Sequence, residues 1–118
     1  DWSSDVCSSD LPELIRLPSS GDLLLIWNGS KYDVRAASHF GKRTPLSAAI
    51  SRDDGASWSK PVVIEGDASS AFSNPGATIL KSGKVIVNYW TCKYDSKGYM
   101  SNYPIHLKAA VLSLEQLR

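Results

Sequence analysis

The stretch Ser51-Arg52-Asp53-Asp54-Gly55-Ala56-Ser57-Trp58 constrains this 118-residue chain more than any other. It reads S-x-D-x-G-x-x-W and lies between two short apolar runs, Leu46 to Ile50 and Pro61 to Ile64. Serine and aspartate side chains accept hydrogen bonds from backbone N–H groups inside a turn, and glycine takes the positive φ that a tight reversal demands. A tryptophan just beyond can anchor the outgoing strand by burying a large apolar face. The octet predicts a tight hairpin turn between two antiparallel strands, with Ser51, Asp53, Gly55 and Trp58 in structural roles. Asp53 and Asp54 are adjacent carboxylates, but their place in the turn assigns them to structure rather than to acid–base chemistry.

Strand signals continue on both sides of the octet. Glu13 to Leu17 alternates weakly and stops at the turn cluster Pro18-Ser19-Ser20-Gly21. Asp22 to Trp27 is a continuous apolar run, as expected of a strand buried on both faces. A polar stretch from Asn28 to Thr44 follows, then strands over Leu46 to Ile50 and Ser59 to Ile64, completing a four-stranded meander. The pattern then restarts. Asn74 to Leu80, the turn Lys81-Ser82-Gly83 and Lys84 to Trp90 parallel Pro12 to Leu17, Ser19 to Gly21 and Asp22 to Trp27, about 62 residues apart. A polar loop from Thr91 to Pro104, a strand from Ile105 to Leu112 and a short helical tail from Ser113 to Arg118 complete the expectation. The fold class is all-β.

Composition bounds the rest. Residues 1–11, Asp-Trp-Ser-Ser-Asp-Val-Cys-Ser-Ser-Asp-Leu, are what a common sequencing adapter encodes in one reading frame. They lack the basic start and apolar core of a signal peptide, and are expected to be non-native, leaving 12–118 as the native part. Setting aside Asp1, Asp5 and Asp10 raises the formal charge from +1 to +4. That is too mild to imply a nucleic-acid partner. No stretch is long and apolar enough to imply a membrane span. Cys92 then stands alone, which gives neither a disulfide framework nor a metal site. No phosphate loop or zinc spacing is present, so no cofactor and no metal are expected. Asn28-Gly29-Ser30 matches the glycosylation sequon, a signal too short to carry an argument.

Strand parity sorts the loops. In an antiparallel meander the turns at 19–21, 51–58 and 82–83 fall at one end, and the loops 28–44, 65–74 and 91–104 at the other. The second group holds most of the ionisable and aromatic residues outside the strands, and loops of that kind carry binding and catalysis more often than tight turns do.

The octet resembles the Asp-box, the repeated turn of sialidases and related β-propellers, with Ser57 where that family usually has threonine. The likeness extends to Arg43-Thr44-Pro45-Leu46, Phe72-Ser73-Asn74-Pro75 and Gly83 to Tyr89, which are similar to the R-x-P-L, Y-S-Y-P and D-G-x-hydrophobic runs of bacterial sialidase-like proteins. The resemblance covers roughly residues 12–112. It implies the last two blades, 12–64 and 75–112, of a propeller expected to have six. The earlier blades of the same chain would be its missing structural partner. The second blade has three strands, as when a terminal blade is completed by a strand from the other end of the chain, and the fragment alone is expected to be unstable and inactive.

Sialidases cleave terminal sialic acid with retention, through a tyrosine nucleophile assisted by a glutamate, an aspartate acid/base and three arginines that clamp the substrate carboxylate. Arginine suits the clamp because its planar fork meets a carboxylate bidentately. The resemblance assigns Arg43 to that clamp by its place before Pro45-Leu46. Its alternative is a loop arginine that holds its own loop. Arg35, Asn74, Tyr94, Tyr99 and Tyr103 are the candidate substrate-binding residues. Asp33 and Asp95 are loop carboxylates on the same face, whereas His39 and His106 read as structural and Tyr89 and Trp90 as core. The sequence departs from the family at Phe72 and Asn74, where both tyrosines of Y-S-Y-P are replaced, and phenylalanine cannot attack. Two readings follow: an exo-glycosidase acting on a glycan with a terminal sialic acid or related acidic sugar, or a non-hydrolytic Asp-box propeller (a carbohydrate-binding or scaffold protein, or a lyase relative). The residues fix no location, although the family resemblance is compatible with a secreted or periplasmic one.

Overall fold

The computed structural model describes residues 12–30, 42–100 and 104–117. These form two antiparallel sheets. The first has the order β1 (Glu13–Arg16), β2 (Leu23–Asn28), β3 (Leu46–Ser51), β4 (Val62–Glu65). The second has β5 (Ser70–Ile79), β6 (Val85–Lys93), β7 (His106–Leu112), followed by the single-turn helix α1 (Leu114–Leu117). Every strand pairs with its sequence neighbour, as short connections favour. Among the described residues no helix is long and apolar enough to cross a membrane.

The sheets pack face to face. Leu24, Ile26, Leu46, Ala48 and Ile50 of the first meet Phe72, Val85, Val87, Tyr89 and Leu112 of the second in one buried cluster, which Leu17 and Leu117 close at its edge. A smaller cluster of Leu25, Trp27, Ala49 and Trp58 lies on the other face of the first sheet. This explains why Leu24 to Trp27 is apolar without alternation: both faces of β2 are buried. Glu65 ties the sheets at their outer side. Its carboxylate accepts from Lys108 Nζ at 2.7 Å and from the Tyr89 hydroxyl, and Tyr89 and Lys108 are cross-strand partners on one face. Burial, then the nearby Glu65 charge, pushes the Tyr89 phenol up to about 12.

The turn at 51–58 is built as its residue types require. Ser51 Oγ donates to Asp53 Oδ1 at 2.9 Å and accepts from Gly55 N at 2.7 Å. The Asp53 carboxylate accepts from both the backbone N–H (2.8 Å) and the hydroxyl of Ser57. Asp54 (φ 55°) and Gly55 (φ 92°) take the left-handed backbone. Ser59 N donates to Ile50 O, and Ile50 N to Ser59 Oγ, which closes the loop. Arg16 bridges to Asp54 at 2.9 Å, so the 18–21 turn lies beside this one, as strand parity predicts.

Three expected boundaries move. The fourth strand is shorter than Ser59 to Ile64 and starts at Val62, because Ser59 and its neighbours belong to the turn. The fifth begins at Ser70 rather than Asn74, and the sixth runs to Lys93 rather than Trp90. Part of the expected loops 65–74 and 91–104 is therefore strand. Pro75 lies within β5, as expected, because β5 is a sheet edge and its register shifts between Ser73 and Gly76, where a missing N–H breaks no ladder.

Two outcomes test the turn. Ser51 is 1% exposed, so Ser51→Ala leaves the Gly55 N–H without its acceptor and should cost about 1–3 kcal/mol in urea unfolding. Asp53 is held below its ordinary carboxylate value of 3.8, chiefly by the Ser57 hydroxyl. A group whose pKa is lowered on folding contributes stability above the unfolded value and loses it as pH falls through the folded one. Stability should therefore decline as pH falls below about 4, and this decline should be shallower in Asp53→Asn.

Candidate functional site

The segment 42–45 runs from the first sheet onto β5, and its hydrogen bonds place Arg43. β5 is an edge strand, so Phe72 directs its backbone groups outward with no strand to receive them. Arg43 C=O accepts from Phe72 N at 2.7 Å, and Asn28 Nδ2 donates to Phe72 C=O at 3.0 Å. Both groups are thus satisfied from the first sheet, as buried backbone requires. Arg43 N donates to Tyr94 Oη at 2.8 Å, and Arg43 Nη1 donates to Ser73 Oγ at 2.8 Å. The guanidinium carbon lies 6.0 Å from the centre of the Trp90 ring, and Lys42 Nζ lies 5.5 Å from that of Tyr94. A half-buried arginine over an aromatic face is favoured electrostatically.

Behind this cluster the 65–70 connection is fastened by Asp67. Its carboxylate accepts from Ser69 N and Oγ, from Ser70 Oγ and from Lys93 Nζ (2.9 Å), while its C=O accepts from Thr44 Oγ1. The Ser69 hydroxyl, then Lys93, hold the Asp67 carboxyl well below the usual carboxylate range. A cleft of about 700 Å³ opens between the sheets here, bounded by Glu65, Asp67, Phe72, Cys92, Lys93 and Lys108. Its lysines are each neutralised by an acid on the facing wall, Lys93 by Asp67 and Lys108 by Glu65. Among the described residues no three His, Cys, Asp or Glu side chains are grouped as metal ligands.

Of the sequence-derived candidates, the fold brings Arg43 and Tyr94 together. Burial pushes the Tyr94 phenol up, opposite to what a tyrosine nucleophile needs, and its oxygen is used to hold Arg43 N–H. Asn74 follows Ser73 at the register shift, exposed and left-handed (φ 51°). Tyr99 stands on a hairpin held by the Tyr94–Met100 bridge and is 52% exposed. Asp95 caps that hairpin, accepting from Lys97 N and Tyr99 N. Arg35 and Tyr103, with Asp33 and His39, lie outside the described residues.

Phe72 is a strand residue of β5, not part of the expected loop 65–74. It is 3% exposed and packs edge to face against Tyr89, centroids 6.0 Å apart. Trp90 is not core like Tyr89: it is half-buried beneath Arg43. Asn28, Ser73 and Trp90 are the site residues that sequence reasoning passed over. For Asn28 the one signal was a polar residue ending an apolar run. Its sequon is unusable in the folded chain, since Asn28 is 4% exposed and its amide nitrogen is already a donor.

Removing the Asn28 amide leaves a buried carbonyl without a donor, so Asn28→Ala should lower stability by about 1–3 kcal/mol. Chemical denaturation checks this, with Asn28→Asp expected to be no better because a carboxylate cannot donate. Set beside protein-family models and curated proteins, the chain matches none, and the function of the cluster rests on its own chemistry.

Proposed function

We propose that the chain is the C-terminal part of a sialidase-like propeller glycosidase, and that Arg43 meets the carboxylate of a terminal sialic acid or related acidic sugar. One observation carries the reading. Arg43 sits at the opposite end of β3 from the S-x-D-x-G-x-x-W turn, with its guanidinium fixed by Ser73 Oγ and Trp90. A fixed guanidinium loses less freedom when it binds a planar carboxylate, and such pairs are strong and directional. The two packed sheets fit the last two blades of such a domain, each a meander from inner to outer strand. Asn74 and Tyr99 supply polar and aromatic contacts at the same end, while Tyr94 positions the Arg43 loop.

A second reading is favoured by Phe72. Buried against Tyr89, it leaves the family's tyrosine position without a nucleophile, which fits a non-hydrolytic propeller that binds an acidic glycan. Fold alone does not decide between them.

The test is release of a fluorogenic sialoside by the longer protein that this reading implies. Hydrolysis is expected, with kcat/KM lowered about 10- to 150-fold in Arg43→Ala, the loss of about 1.5–3 kcal/mol from a charged hydrogen bond. Activity unchanged by that substitution removes Arg43 from the site. Saturable sialoside binding without release selects the non-hydrolytic reading, and neither binding nor release ends both.

A further inference from the structure

Lys42 is a cation that the reading of Arg43 leaves unassigned, and one tyrosine holds both residues. Tyr94 Oη accepts from Arg43 N at 2.8 Å, while the centre of its ring lies 5.5 Å from Lys42 Nζ. Tyr94 N donates to Ser69 O at 2.9 Å, which carries the β5–β6 pairing one step past Ser70 and Lys93. Trp90 and Tyr94 are four residues apart on that extended chain, so they stand on one face of it, about 13 Å apart along the strand. The Arg43 guanidinium lies over the first ring and the Lys42 ammonium over the second. Lys93 belongs to the opposite pleat and to Asp67, and is not part of this pair. Asp95, next to Tyr94, turns its carboxylate into its own hairpin, where Lys97 N and Tyr99 N donate to it.

We propose that Lys42 is a second cation of the Arg43 site, and that the glycan taken there carries a second acidic group on a sugar beyond the terminal one. The inference rests on the reading of Arg43 as the group that meets the terminal carboxylate. A single guanidinium can satisfy both oxygens of one carboxylate, so a cation held on a separate ring at this spacing has no part in that pair. It matches an acid farther along the oligosaccharide. Lysine suits the outer position, because an ammonium on a flexible stem is a point charge that meets an anion from many directions. An exposed pair of this kind contributes little by itself, so Lys42 sets a preference among acidic glycans and Arg43 sets the affinity they share.

The test is calorimetric titration of the longer protein with two hydrolysis-resistant, sulfur-linked probes: sialyllactose, which has one carboxylate, and a linear trimer of sialic acid, which has three. The trimer should bind about two- to five-fold more tightly, the range of one exposed ion pair. The preference should shrink at high salt, vanish in Lys42→Gln and persist in Lys42→Arg, whereas Arg43→Ala should weaken both ligands. Equal affinity for the two probes, or a preference that survives Lys42→Gln, overturns the role of Lys42 and leaves the reading of Arg43 standing. Binding of neither probe overturns both.

Discussion

The apolar layer between the two sheets is what the remaining structure depends on. Leu24, Ile26 and Ile50 from one side meet Val85, Val87 and Tyr89 from the other, and each set is buried only because the other is there. A lone sheet of three or four short strands has one face to cover and is stable only when that face is packed. Once the sheets are stacked, the ends of their strands are brought into register, and only then can Glu65 find Tyr89 and Lys108 or Asn28 find Phe72.

The polar contacts at the loop end have a different character from this layer. They are directional, and they solve one problem, an edge strand whose outward backbone groups would otherwise be left dry. Arg43 and Asn28 solve it together at Phe72. The guanidinium, which a loop arginine would normally leave in solvent, is thereby turned onto Ser73 and Trp90. Positioning of the candidate functional group is a by-product of how the second sheet is edged.

Local chemistry was legible in the sequence and long-range chemistry was not. The octet at 51–58 names its own hydrogen bonds, because Ser51, Asp53 and Gly55 act within four residues of one another. The strand order and the sorting of loops by end also follow from simple alternation and turn signals. What the residues hid was the role of Phe72, whose turn-like neighbours Asn74 and Pro75 proved compatible with an edge strand and a register shift. Trp90 and Tyr89 look alike in sequence, yet opposite pleats send one into the core and the other beneath an arginine. Such distinctions depend on the partner surface, which no local pattern carries.

The Asn28–Phe72 bond also has a consequence for how the chain closes on itself. It joins residues 44 apart, and Arg43 to Tyr94 joins residues 51 apart, whereas Ser51 to Gly55 spans four. Since closure entropy grows as (3/2)RT ln n, forming the Asn28 contact from an open chain costs about 2 kcal/mol more than forming the turn. The hydrogen bonds of the turn close over at most four residues. The inter-sheet seam needs the sheets already stacked, so the part of the molecule that orients Arg43 is also the part with the longest chain to gather.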